Sequence, residues 1–368
     1  MHPRENYELT GHEAAENSFY EAWNSGRTAH AWLITGPEGI GKATLAYRIA
    51  RFVLSGGASG DAEAGPSLFG DELPPIGSTL AVDANEPVCQ QIEHASHPDF
   101  RHLEPGMINP STGKPTQQIV VAQVRAALDV TKMTAGAGGW RVIIVDPADS
   151  LNINAANAIL KNLEEPPQRT LFLLVSHAPG KLLATIRSRC RRLELKPLTP
   201  TQVAEAISGL GGLDEAQLSR IAMLSRGSIG KAIQLANGDG MALYEAMHRA
   251  AKSLPSIDMA SVHALGDLVS RRKADDSDRF PILVNLISEW LASLVLSSAR
   301  NTAEPEIVAG EHELRRRLLE MAPLDRWIEV WENVCGLLNS ADRVNLDRKQ
   351  VIIESFSIMA AAARARAS

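Results

Sequence analysis

Residues 36 to 44 read Gly-Pro-Glu-Gly-Ile-Gly-Lys-Ala-Thr, a phosphate-binding loop with one residue type out of place. In G-x-x-x-x-G-K-[ST] the glycines let backbone N–H groups close around phosphate oxygens, the lysine reaches the β/γ-phosphates, and the hydroxyl ligates magnesium. Gly36, Gly39, Gly41 and Lys42, with Thr44 just beyond, suit phosphate. Ala43 has no hydroxyl to offer a metal. The expectation is a degenerate loop in which ATP or ADP is a residual occupant and no cofactor is required.

A second carboxylate site follows the apolar run Val142-Ile-Ile-Val145. Asp146 at its end reads either as a strand-end cap or as the remnant of a magnesium site. The upstream loop favours the vestigial site. The adjacent slot, where a water-activating glutamate would stand, holds Pro147, which offers no base. Ser176, after Leu171–Val175, reads as a phosphate sensor or as a turn residue. Ile186-Arg-Ser-Arg-Cys-Arg-Arg192 packs four arginines into seven residues. The planar guanidinium fork bonds phosphate in pairs, but a solvated basic face or a nucleic-acid patch has the same composition.

The elements that must position these residues are legible from periodicity. His30–Thr35 reads as a strand and Ala43–Arg51 as a helix with Leu45, Ile49 and Phe52 or Val53 on one face, the strand–loop–helix order a phosphate loop requires. Ile119, Val121, Val124 and Leu128 form a helical stripe; Trp140–Val145 is a buried strand, Ala155–Leu163 a helix stopped by Pro166-Pro167, and Leu171–Val175 another buried strand. Alternating strand and helix predicts an α/β fold with a parallel sheet. Residues 55–87, rich in Gly, Ala, Asp and Pro, read as a flexible insertion. After Leu195-Lys-Pro-Leu-Thr-Pro200 the pattern is helical throughout. Trp290, Trp327 and Trp331 lie on apolar stripes that look too extensive to be covered within the C-terminal block.

The 368 residues are enough for two or three domains. A net charge of −6 argues against wholesale electrostatic binding to nucleic acid while leaving room for a local basic patch. The three cysteines, Cys89, Cys190 and Cys335, are odd in number and far apart, as in a reducing compartment, so a cytoplasmic location is expected. No export leader is expected. No membrane span is expected either, since Ile282–Leu296 is broken by Asn285, Ser288 and Glu289.

Ala155-Ala-Asn-Ala-Ile-Leu-Lys-Asn-Leu-Glu-Glu-Pro-Pro167, followed by Ser188-Arg-Cys190, resembles the AAA+ clamp-loader subunits of bacterial replicases. The likeness runs from Gly11-His-Glu-Ala14 through His30-Ala-Trp32 and His97-Pro-Asp99 to Arg192, and is weaker in the helical remainder. It implies a RecA-like AAA+ domain at 1–196, a three-helix lid at 197–255 and an all-α collar at 256–368 that oligomerises. It implies gamma/tau and delta subunits as partners in a hetero-pentamer, with the sliding clamp and primer-template DNA reached through the complex. Arg189 would then act in trans as an arginine finger on a neighbour's ATP.

Three departures from the hydrolysing relatives agree: Ala43, Pro147, and Gly230 in Arg226-Gly-Ser-Ile-Gly-Lys-Ala232, where active relatives carry a sensing arginine. They imply a stator without ATPase activity of its own, inside a polymerase holoenzyme. The alternative is an active motor of the gamma/tau type, for which Lys42 and Thr44 speak. Many relatives bind zinc through four cysteines in the insertion; one thiolate, Cys89, cannot make such a site, so no zinc or other metal is expected.

Overall fold

A computed structural model describes residues 2–57, 80–132, 139–270, 278–300, 305–341 and 344–364. The chain divides into two compact units, Met1–Leu198 and Thr199–Ser368. The expected lid and collar both fall in the second unit, apart from residues 197 and 198.

The first unit is built on five parallel strands in the order β2-β3-β4-β1-β5. These are β1 (Ala31–Thr35), β2 (Phe100–Leu103), β3 (Arg141–Val145), β4 (Thr170–Ser176) and β5 (Arg191–Glu194). The central strands are continuous apolar runs because both faces are covered. Trp32, Ile34, Val142, Ile144, Leu171, Leu173 and Val175 enter one core. Their alternates Ala31, Leu33, Ile143, Val145, Phe172 and Leu174 enter the other.

Helices α1 (Glu13–Asn24), α2 (Lys42–Leu54) and α3 (Pro87–Glu93) cover the first face, with Phe19, Leu45, Ile49, Phe52 and Ile92 buried there. Helices α4 (Val121–Leu128), α5 (Ile153–Glu164) and α6 (Ala184–Arg187) cover the second through Val124, Leu128, Ala155, Ile159, Leu163 and Ile186. Asn152 starts α5 by accepting the Ala155 N–H at 2.9 Å, a side-chain cap for an orphan donor.

Of the expected insertion at 55–87, residues 58–79 lie outside the described residues. Its described C-terminal part is anchored rather than loose, because Leu80 is buried in the first core with Val82 packed on it. Strand β2 was not expected: it is a short edge strand paired only to β3, with Arg101 and His102 between its two buried residues.

The second unit is helical among its described residues: α7 (Pro200–Ile207), α8 (Glu215–Leu224), α9 (Ile229–Asn237), α10 (Gly240–Lys252), α11 (Met259–Ser270), α12 (Phe280–Arg300), α13 (Glu311–Met321), α14 (Leu324–Ser340) and α15 (Arg348–Arg364). Capping boxes at Thr199/Gln202 and Asp214/Gln217 fix the starts of α7 and α8.

Two expectations bear on the packing of this unit. Two of the three tryptophans are covered within the unit: Trp290 and Trp327 are only 4% and 0% exposed, as α12 packs on α14 and α14 on α15, while Trp331 is half-buried. Excess apolar surface at Trp290 and Trp327 therefore gives no reason for assembly. Moreover, α12 is long and apolar enough, by length and composition alone, to cross a membrane. It is a core helix of this unit, with Leu283, Ile287, Leu291 and Leu294 buried.

The layering predicts a sharp contrast between two truncations. Leu173→Ala, in the middle strand, should cost about 2–5 kcal/mol, whereas Ile153→Ala, at a residue 68% exposed, should stay within about 0.5 kcal/mol of the parent. Urea unfolding of the two variants measures both.

Candidate functional site

The loop between β1 and α2 has the backbone that its glycines permit. Gly36, Gly39 and Gly41 all have positive φ. A Cβ on Gly36 would lie 2.5 Å from the Leu195 carbonyl oxygen, and one on Gly41 would lie 2.9 Å from Leu9 Cδ1, so both positions exclude a side chain. Buried His12 holds the loop from outside: its Nε2 donates to the Ile40 carbonyl at 2.7 Å. The sequence flagged His12 only within a resemblance; its work is to brace the loop.

Lys42 and Thr44 are buried in the first turn of α2. The Lys42 ammonium donates to the Pro37 carbonyl, and burial brings it down to about 8. Asp146, just past β3, is pushed up to about 6 by burial, with Lys42 pulling it the other way. Desolvation thus outweighs mutual attraction for both groups. A phosphate would restore the charged lysine, and the glycine backbone at a helix N-terminus fits one. Magnesium fits less well, since Ala43 brings a methyl to the ligand position. Among the described residues no group of three or more His, Cys, Asp or Glu side chains could hold a metal.

Sheet register brings the remaining candidates to the same edge. Thr35 pairs with Ser176 and Val145 with Leu174, so the loop, Asp146 and Ser176 follow neighbouring strand ends. Ser176 is fully buried, and its hydroxyl donates to Asp149 Oδ1 at 2.7 Å. The other oxygen of Asp149 accepts the His177 and Ala178 backbone N–H groups at 2.6 and 3.3 Å. Asp149 is therefore a brace between the ends of β3 and β4, and the Ser176 proton is committed to it. No sequence signal marked this pairing, because its partners come from different strands.

The arginine cluster is not a uniform basic face. Arg191 stacks its guanidinium on the Trp32 ring, 4.7 Å from the centroid. Arg192 Nε donates to Thr35 Oγ1 at 3.3 Å, and Arg187 reaches the Pro179 carbonyl. Arg189 bonds Glu164 Oε1 through Nη2 at 2.8 Å and the Thr185 carbonyl through Nη1 at 3.0 Å, with 35% of its side chain exposed. The neighbouring Cys190 thiol is pushed up to about 12 by burial, which leaves it unreactive. The structure brings Gly36, Gly39, Gly41, Lys42, Thr44 and Asp146 together; the described contacts of Arg189 lie elsewhere, at the end of α5 and in α6.

In the second unit, Gly230 sits in the first turn of α9, which Ser228 caps by accepting the Lys231 N–H. Lys231 pairs with Glu289 of α12, and Arg226 Nε stands 3.8 Å from the same carboxylate.

A family model described as DNA polymerase III, delta subunit, matches residues 78–199. The DNA polymerase III subunit delta-prime of Escherichia coli (strain K12) is 31% identical over 280 residues, 76% of this chain and 72% of that protein. The chain belongs to the delta-prime family of DNA polymerase III clamp-loader subunits. The delta-prime subunit of Pseudomonas aeruginosa is 39% identical over 167 residues, 44% of this chain but only 42% of that protein. The DNA polymerase III subunit gamma of Buchnera aphidicola is more distant, 25% identical over 350 residues, 90% of this chain and 81% of that one. Among solved structures, a gamma-subunit-related protein from Thermotoga maritima overlaps 96% of this chain and 100% of its own at a TM-score of 0.44 and 15% identity. A five-stranded parallel sheet with a glycine loop between its first strand and α2, followed by a helical second unit, is thus the architecture of this delta-prime family member.

The buried acid gives a pH prediction. Folded Asp146 keeps a proton up to about 6, whereas in an unfolded chain a carboxylate releases it near 3.9. Between those values the folded state binds more protons, so stability falls as pH rises through the window and stays lowered above it. Asp146→Asn should be more stable than the parent by about 1–3 kcal/mol at pH 7, with the gain fading below about pH 4. Urea unfolding at several pH values checks this.

Proposed function

We propose that the chain is the stator of a sliding-clamp loader: it does not hydrolyse ATP, and it gives Arg189 to an ATP site on a neighbouring motor subunit. Its working context is the cytoplasmic hetero-pentamer with gamma/tau and delta subunits that loads the clamp on primer-template DNA. Residues 1–196 act as the AAA+ domain, 197–255 as the lid and 256–368 as the collar that joins the ring. Its own loop is a phosphate cradle that needs neither nucleotide turnover nor zinc.

One observation carries the absence of turnover. Pro147 follows Asp146, and the next carboxylate, Asp149, spends both oxygens on Ser176, His177 and Ala178. Neither Pro147 nor Asp149 is thus left to orient an attacking water. The missing hydroxyl at Ala43 removes the metal ligand as well. The motor alternative rests on Lys42 and Thr44, which bind phosphate without activating water.

The trans role of Arg189 draws support from its setting. Its part-exposed side chain is bonded to a carboxylate oxygen at 2.8 Å, closer than Arg192 stands to Glu194 at 3.7 Å, and this is the geometry a phosphate oxygen would take over. A guanidinium supplied across an interface makes hydrolysis depend on assembly, because the transition-state charge is neutralised only when the neighbour docks.

Arg189→Ala should fold and assemble normally, since an exposed pair contributes little to stability. In a reconstituted complex with wild-type motors it should lower ATP hydrolysis partially, the other sites keeping their own arginines. Clamp loading on primed DNA should fall further. A finger contributes about 10³ or more where it acts alone. Arg189→Lys should rescue poorly, because an ammonium loses the paired planar bonds. Wild-type hydrolysis and loading by Arg189→Ala would overturn the trans role.

A further inference from the structure

Glu164 closes α5 with its carboxylate 2.8 Å from Arg189 Nη2. A carboxylate is the wrong charge for the C-terminal end of a helix, where the backbone dipole is negative. The helix end is nevertheless fixed without help from Arg189: His30 Nε2 donates to the Leu163 carbonyl at 3.0 Å, the Glu165 N–H bonds the Lys161 carbonyl, and Pro166-Pro167 stop the helix. The carboxylate is thus held in place by backbone that β1 and α5 organise, and Arg189 comes to it from the segment after α6.

Resting on the reading that Arg189 acts in trans, we propose that Glu164 is an intramolecular competitor for that guanidinium. It occupies Arg189 in the free subunit, and the neighbour's γ-phosphate displaces it. A carboxylate and a phosphate present the same fork-matching oxygens, and both are anionic, so the two exclude each other from one guanidinium face. Glu164 is a positioning residue: it acts by setting how much of Arg189 is available. The pair is partly exposed, 35% on Arg189 and 48% on Glu164, so it is weak enough for a more highly charged anion to exchange. Thr185 keeps its hold on Nη1 and keeps the guanidinium nearby during the exchange.

The test is steady-state hydrolysis by the reconstituted complex as a function of ATP concentration, for Glu164→Gln, Arg189→Ala and the double variant. With the competitor neutralised, the ATP concentration for half-maximal rate should fall about two- to fivefold, the range an exposed ion pair can supply, with the maximal rate kept. In the Arg189→Ala background Glu164→Gln should change nothing. Glu164→Asp, which keeps the charge on a shorter arm, should give an intermediate shift and provides a second route if the glutamine variant assembles poorly. The inference is overturned if Glu164→Gln matches the parent, if it lowers the maximal rate as loss of the arginine does, or if its effect persists without Arg189. Arg189→Ala reports separately: a lowered rate there with a silent Glu164→Gln removes the competitor but leaves the trans arginine, while a silent Arg189→Ala removes both.

Discussion

The pairing of β4 between β1 and β3, parallel and in register, is the constraint on which the rest of the first unit depends. Thr35 meets Ser176 and Val145 meets Leu174, so three strand ends that are far apart in sequence open onto one edge. That edge is where a phosphate loop, an acid and a polar strand-end residue must meet. Covering both faces of the sheet makes the arrangement rigid and also buries what stands there. Lys42 at about 8 and Asp146 at about 6 show the cost: the site keeps groups whose charges suit nucleotide and metal, in surroundings that favour their neutral forms.

The same edge is braced by hydrogen bonds that reach across strands. Asp149 joins the ends of β3 and β4 through Ser176, His177 and Ala178. His12 braces the loop through Ile40. These bonds fix the ends of β3 and β4 and the loop that follows β1. The arginines after α6 divide the labour: Arg191 and Arg192 tie β5 to β1 through Trp32 and Thr35, Arg192 also stands 3.7 Å from Glu194, and Arg189 bonds Glu164 at 2.8 Å.

Much of the α/β unit was legible in the sequence because its signals are local. The loop glycines, the apolar runs of β1, β3 and β4, and the stripe of α5 stopped by Pro166-Pro167 each declare themselves within a few residues. What was illegible depends on contacts across the fold. β2 is four residues of edge strand with an Arg and a His inside, so neither period nor composition marks it. The Asp149–Ser176 bond spans 27 residues, and the Glu164–Arg189 pair joins two motifs that read as independent. Leu80 looked like part of a loose insertion because one buried side chain leaves no pattern. The tryptophan stripes were seen correctly as apolar, but whether a stripe meets a partner protein or a neighbouring helix is decided by tertiary packing, and here Trp290 and Trp327 find helices of their own unit.

The proposed stator holds a phosphate loop that it does not use for hydrolysis. The most direct measurement is steady-state ATP hydrolysis by the isolated chain with magnesium, compared with the same chain carrying Lys42→Ala. Background turnover is expected in both, with no difference between them. Steady magnesium-dependent hydrolysis that disappears in Lys42→Ala would contradict it and make the chain a motor.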